Sequence, residues 1–215
     1  MYAHAVSPMR LAAPSAAPAR LRALVRGRVF AAMIALLVLL GALLAGDGIY
    51  IKAKATYAQT LLDRAWSRTL AGETNARPWS WADTWPVAKL DIPRLGASSI
   101  VLNSVSGQAM AFGPGLMHGP QPGENGLAII SAHRDTHFGF LKHIEHGDIV
   151  QITNDTGQTV SFKISETGIV EADASGLYQD GETARIALVT CWPFDALQQG
   201  TKRFVAIGEM LDETT

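Results

Sequence analysis

Apolar positions along this chain follow three different periods. From Val29 to Gly46, eighteen consecutive residues carry no charge. As a helix they span about 27 Å at roughly 1.5 Å per residue, close to a hydrocarbon core of about 30 Å. From Ile49 to Leu70 the residues Ile49, Ala53, Tyr57, Leu61, Ala65 and Trp66 recur near helical spacing, with Lys52, Lys54, Asp63, Arg64 and Arg68 between them. That spacing predicts an amphipathic stalk, stopped near Gly72. Beyond Pro86 short β-type runs alternate with Gly, Pro, Asn and Asp. Strands are predicted at Val87–Ile92, Ser99–Val105, Leu127–Ala132, Asp148–Thr153, Thr159–Thr167, Arg185–Thr190 and Phe204–Met210, with a short one at Ile169–Ala172. Gly157, after Asn154-Asp155-Thr156, marks a hairpin. Seven or eight short strands within about 125 residues describe a mainly β sandwich or barrel, and full closure would remove exposed edges.

These periods divide the chain into a basic tail (1–28), a transmembrane anchor (29–46), a membrane-proximal helical stalk (47–76) and a folded domain (77–215). The tail is rich in Ala, Pro and Arg without a sustained apolar period, so it reads as mobile. Arg10, Arg20, Arg22, Arg26 and Arg28 precede the apolar run with no acidic residue among them, and Asp47 follows it. The positive-inside rule then leaves the amino terminus in the cytoplasm and the folded domain outside, on a single-pass inner-membrane protein. A cleaved signal peptide fits less well: its apolar region usually runs about 7–15 residues, and the nearest Ala-x-Ala, Ala53–Ala55, lies far from the run. Removing those five arginines from 18 basic residues leaves 13 against 19 acidic, a net charge of −6. That balance argues against a nucleic-acid partner. Trp79, Trp81 and Trp85 fall between stalk and strands, at spacings that suit packing on the domain surface better than an interfacial belt.

Candidate chemistry centres on Cys191, the only cysteine, at the end of the apolar run Ile186–Thr190. It cannot form an internal disulfide, so it is either a small buried hydrophobe or a reactive thiol. A nucleophilic thiol needs a base or cation beside it. Of six histidines, His4 lies in the tail, His118 and His146 read as loop residues, and His143 and His146 could add ligands to any metal site near His133 and His137. His133 directly follows the apolar strand Leu127–Ala132 and so emerges at a strand end, as Cys191 does. Arg203 opens the last strand. If that strand and the preceding one form a hairpin, Cys191 and Arg203 lie opposite at its mouth, with Ala187, Val189 and Cys191 on one face and Arg203, Val205 and Ile207 on one face of the partner. Arg185 is six residues back, roughly 20 Å at about 3.3 Å per residue, too far to share the site. A guanidinium beside the sulfur would stabilise a thiolate or an oxyanion. The spacing of His133 and His137 also suits a metal pair, yet Arg134 stands where a zincin carries glutamate, and Asp135-Thr136 suits a turn.

Three segments together resemble the sortases. Ala187-Leu188-Val189-Thr190-Cys191-Trp192-Pro193-Phe194 is similar to their cysteine motif, Ala132-His133-Arg134-Asp135-Thr136-His137-Phe138 to their histidine motif, and Arg203-Phe204-Val205-Ala206 falls where their arginine is expected. The similarity runs from about Trp79 to Met210, through Gly113-Pro114-Gly115 and Pro122–Gly126. The Trp79–Val87 run resembles the subgroup of Gram-negative proteobacteria. The resemblance implies a closed eight-stranded β-barrel and a cysteine transpeptidase without a cofactor. It implies Cys191 as nucleophile on a C-terminal Leu-Pro-x-Thr-Gly-like sorting signal of an exported protein. It implies His133 as the group that protonates the leaving amine and deprotonates the incoming one, and Arg203 as the holder of substrate and oxyanion. The acyl group would pass to an amine acceptor or to water. Ala187 departs from the threonine of many members, which implies altered packing rather than lost catalysis. No acidic cluster suited to calcium is evident.

Two other readings stay open. Another extracytoplasmic cysteine acyl-transferase or peptidase would use the same residue types, although an L,D-transpeptidase would show a Ser-His-Gly-Cys type run and a papain-like enzyme a cysteine that opens a helix. A membrane-anchored binding barrel would leave Cys191 inert.

Overall fold

The computed structural model describes residues 17–196, 198 and 200–211. His4, Arg10 and most of the expected tail lie outside those residues. The chain divides into two compact units, Met1–Ala53 and Lys54–Thr215. Helix α1 (Ala17–Leu70) supplies all the described residues of the first unit and the opening element of the second. It begins twelve residues before Val29, so the part of the expected tail from Ala17 onward is helical. Pro18 occupies the first turn, where its missing N–H costs nothing, and Ala, Leu and Arg favour helix thereafter. Within α1 lies a stretch of mean hydropathy 2.7, long and apolar enough to cross a membrane, with its side chains bare.

In the second unit, α1 buries Ala58, Leu62, Ala65, Trp66 and Thr69, a stripe at i, i+4, i+7, i+8 and i+11. Tyr57, expected on that stripe, is 63% exposed. The stripe is rotated by one residue because Leu62 and Trp66 pack with Ile100, Leu102, Ala109 and Phe112, and the small Ala58 and Ala65 allow that approach. The helix closes as expected at Gly72 (φ 93°). The Gly72 N–H donates to Thr69 O (2.9 Å) and the Glu73 N–H to Arg68 O (3.0 Å), the paired bonds of a Schellman motif. Trp79 packs edge-on against Phe112 at 4.7 Å, whereas Trp81 is 82% exposed. The surface-packing expectation therefore holds for the first of them and not for the second.

Eight strands follow: β1 (Pro86–Ile92), β2 (Ala97–Leu102), β3 (Gly115–Leu116), β4 (Gly126–Ser131), β5 (Ile149–Asn154), β6 (Thr159–Glu171), β7 (Ala184–Cys191) and β8 (Lys202–Met210). They form a closed barrel in the order β1-β2-β3-β4-β7-β8-β6-β5. Closure gives every strand a neighbour on both sides, the expected answer to the edge problem. Two expected strands merge into β6, which carries a register shift between Ile164 and Glu166 and stays paired with β8 from Phe162 to Glu171. β3, only two residues long, carries too little pattern to read. It persists because Gly115 lets the chain pass close to the 104–105 backbone, where an added Cβ would lie 2.1 Å from Ser104 O. The β5–β6 hairpin turns at Gly157 (φ 82°), with Asn154 Oδ1 accepting from the Thr156 and Gln158 N–H groups.

Alternate positions point inward. Leu90, Ile92, Ile130, Val150, Ile152, Phe162, Ile164, Ile186 and Leu188 fill the interior, with Phe138 and Leu141 closing it from the 3-10 turn at Gly139–His143. One buried carboxylate ties this turn to the sheet: Asp148 pairs with Arg94, which also donates to His143 O (2.6 Å). The guanidinium hydrogen bond holds the Asp148 carboxyl below the usual carboxylate range.

Phe162 is fully buried at the centre of this interior. Phe162→Ala is expected to destabilise the full chain in detergent by about 3–5 kcal/mol. Trp81→Ala is expected to change stability by less than about 0.5 kcal/mol. Urea unfolding of both variants checks the pair of values.

Candidate active site

The site follows from the pairing of three neighbouring strands. β4 runs parallel to β7, with Ser131 opposite Val189. The ladder continues one residue further, the Ala132 N–H donating to Val189 O (3.2 Å). The buried Thr190 hydroxyl locks this end by donating to Ala132 O at 2.7 Å. β7 runs antiparallel to β8, with Cys191 opposite Arg203, and the Trp192 N–H donates to Lys202 O (3.0 Å). Carrying the β4 register on by two residues sets His133 against Cys191. Cys191 and Arg203 thus sit level on neighbouring strands about 4.8 Å apart, and the β4 register carried past the end of that strand brings His133 into line with them as one row.

Period two also sets the face. Ala128, Ile130 and Ala132 of the β4 segment, Ile186 and Leu188 of β7 and Ala206 of β8 belong to the interior. Leu127, Ile129, Ala187 and Val205 form a second cluster on the opposite face, with Val170, Leu177, Val189 and Ile207 packed on it. Cys191 has the parity of Ala187 and Val189, Arg203 that of Val205, and His133 that of Ile129. All three therefore belong to the outer face, where His133 is exposed and Cys191 and Arg203 are half-buried. A thiol, an imidazole and a guanidinium end one apolar strip, which can hold an extended chain beside a nucleophile.

The loop after Cys191 is built from aromatic contacts and backbone approach. Trp192, Phe194 and Phe204 pack on one another with ring centroids 5.2–6.2 Å apart. Gly200 is required because a Cβ there would stand 2.8 Å from Trp192 O. Arg203 Nη1 donates to Gly200 O (3.0 Å) and Lys202 O (2.9 Å). Its guanidinium is thus committed in part to the loop carbonyls, a role that strand parity alone does not reveal.

His137, which the sequence offered as a partner of a metal pair, is half-buried. Burial pushes its imidazole below the usual histidine range; a hydrogen bond with the Ala111 backbone acts the other way, and the charge of His133 lowers it further. His118 and His146 are exposed, as their loop placement implied, and His143, at the end of the 3-10 turn, is exposed as well. A cleft of about 990 Å³, lined by Tyr57, Leu61, Trp79, Trp81 and Phe112 among others, includes none of residues 133, 191 and 203. Sequence reasoning missed Arg134. It is 7% exposed and bonded to carbonyls of the β7–β8 loop. Its signal was a cation of inward parity directly after His133.

Comparisons with known proteins agree with this geometry. The family model described as "Sortase domain" matches residues 90–211. Among curated proteins, sortase D of Bacillus subtilis (strain 168) is 28% identical over 122 residues, 56% of this chain and 61% of that protein. Sortase A of Listeria monocytogenes is 26% identical over 128 residues, 58% of this chain and 56% of that protein. The matched region thus spans about three-fifths of the length of these relatives. Among solved structures, a sortase D5 transpeptidase of Clostridium perfringens superposes with a TM-score of 0.58 at 19% identity, covering 73% of this chain and 99% of that one. At that identity the likeness is one of fold: the closed eight-stranded barrel expected from the sequence.

The folded state resists protonating His137, so as pH falls below about 6.5 the unfolded chain takes up that proton first. The His137 contribution is undiminished above that pH and is lost below it. Histidine NMR titration of the full chain should place the His137 midpoint below that of an exposed histidine, and His133→Ala should move it upward. A midpoint indifferent to His133 would show that the two imidazoles do not sense each other.

Proposed function

This chain belongs to the sortase family, and from that premise we propose that it is a membrane-anchored cysteine transpeptidase acting on exported proteins. Its substrate is a C-terminal sorting signal of the Leu-Pro-x-Thr-Gly kind. The pairing of Cys191 with Arg203 at the barrel end where the chain leaves β4 into His133 is the observation that supports the reading, because acyl transfer needs a nucleophile, a proton shuttle and an oxyanion partner within reach of one carbonyl.

The Cys191 sulfur attacks the scissile carbonyl carbon, and the C–N bond then breaks. His133, one row position away on the exposed side, gives the leaving amine its proton. The thioester that remains is attacked by an acceptor amine, whose proton returns to His133 as the Cys191 thiolate is released. Arg203, on the other flank, faces the substrate carbonyl and the oxyanion. The partly exposed Val170, Leu177 and Val189, packed over Val205, support an extended peptide beside the sulfur.

The long apolar helix fits a single-pass anchor. The arginines before it and the acidic residue after it support a cytoplasmic amino terminus and a periplasmic catalytic domain. The Trp79–Val87 run supports a place among the sortases of Gram-negative proteobacteria. A tethered enzyme meets a membrane-held substrate at raised effective concentration.

Turnover of a quenched-fluorescent sorting-signal peptide by the full chain in detergent, with an added amine, tests this. Cys191→Ala is expected to lose at least about a thousandfold in kcat/KM, and Arg203→Ala about 10²–10³-fold with the domain still folded. Near-normal turnover by purified Cys191→Ala would remove Cys191 as the nucleophile, and no turnover by the unaltered chain would favour a barrel that binds without catalysing.

A further inference from the structure

Arg134 is a buried cation for which the acyl-transfer scheme has no use. Its side chain is 6% exposed. The one carboxylate near it, Asp135 at 3.5 Å, is 72% exposed and therefore a weak partner. Its charge is met instead by backbone. Nη1 donates to Pro193 O at 2.7 Å, and Nη2 donates to Ala196 O at 2.5 Å and to Gln198 O at 3.1 Å. Three carbonyls of one irregular loop converge on a single planar fork, a geometry that guanidinium can serve and ammonium cannot.

Position gives this cluster its consequence. Arg134 immediately follows His133, and Pro193 lies two residues beyond Cys191. Among its described residues the loop 192–201 has no regular strand or helix of its own. Strand pairing ends at Trp192 N–H to Lys202 O, and the Thr190 hydroxyl reaches Ala132 on the near side of the row. On the far side the Arg134 fork joins the histidine turn to the cysteine loop by direct hydrogen bonds. The turn is itself closed by the Phe138 N–H donating to His133 O at 3.1 Å. Parity sends the His133 side chain outward and the next one beneath it.

We propose that Arg134 is a positioning residue: its guanidinium clamps the loop that follows Cys191 to the turn that carries His133, and so fixes the separation of imidazole and sulfur. It acts through His133 and Cys191 and touches no substrate. The inference rests on the assignment of those two residues as the catalytic pair, and its test separates the two claims.

The test is the rate of Cys191 alkylation by iodoacetamide in the full chain in detergent, followed by mass spectrometry across pH, below the unfolding temperature of each variant. Cys191 is the only cysteine, so the label is unambiguous. A thiol that loses its partner imidazole is less available as thiolate at neutral pH. Arg134→Gln is expected to slow labelling at pH 7 about tenfold. Adding Arg134→Gln to His133→Ala should slow it no further, because the clamp works through the imidazole. Arg134→Lys, which keeps the charge but not the fork, should recover only part of the rate, and it serves alone if the glutamine variant does not fold.

A folded Arg134→Gln or Arg134→Lys with the wild-type profile, while His133→Ala is slowed, would overturn the clamp and leave the catalytic pair standing. Slowing by Arg134→Gln that adds in full to that of His133→Ala would also overturn it. No slowing in His133→Ala would instead refute the catalytic pair, and the clamp with it.

Discussion

One register decides where chemistry can happen in this molecule. β4 and β7 lie parallel, with Ser131 opposite Val189, and β7 and β8 antiparallel, with Cys191 opposite Arg203, so Cys191, Arg203 and the turn that opens at His133 share one end of the barrel. A slip of one residue in either pairing would turn a strand's outer set into the core. The interior is filled by large side chains, Phe162, Ile130, Ile186 and Leu188 among them, so such a slip would put Ile129 or Ala187 where Ile130 and Leu188 now pack. The packing of the barrel thus fixes the row. The sulfur, the imidazole and the guanidinium inherit their level from residues that never meet substrate.

The ends of that row are held by hydrogen bonds of different kinds. On one side a buried hydroxyl, Thr190, bonds the last carbonyl of the β4 ladder. On the other, the buried guanidinium of Arg134 gathers carbonyls from a loop with no ladder to satisfy them. Buried carbonyls without partners cost free energy, and a loop that turns inward needs a donor of this sort. The same loop engages Arg203 through Gly200 and Lys202, so two of the cations near the sulfur also organise the backbone around it. Loop order and site order are therefore one property.

Much of this was legible in the residues. Alternating apolar patterns gave the long strands, because each has one face in the core and a turn residue at its end. Cys191 and Arg203 could be placed opposite each other because a hairpin is a local object, and their shared parity with Val189 and Val205 followed from period two. The parallel contact of β4 with β7 was not legible from local pattern. More than fifty residues separate their pairing partners, among them two further strands. β3 was missed because two residues carry no period. The stripe of the stalk was read one residue off, since Tyr57 and Ala58 both suit a helix and only the partner surface of Ile100 and Leu102 chooses between them. Arg134 was seen only as the residue that spoiled a zincin motif; its carbonyl partners lie about sixty residues away.

The account stands on the sulfur of Cys191 taking the acyl group while the outer face of β7 and β8 holds the peptide. The most direct measurement is intact and peptide-level mass spectrometry of the full chain quenched in acid during reaction with a Leu-Pro-x-Thr-Gly-type peptide and no added amine. The expected result is an acyl mass on the fragment containing Cys191, removed by hydroxylamine. A processed peptide with no adduct on that fragment, or an adduct on another residue, would contradict it.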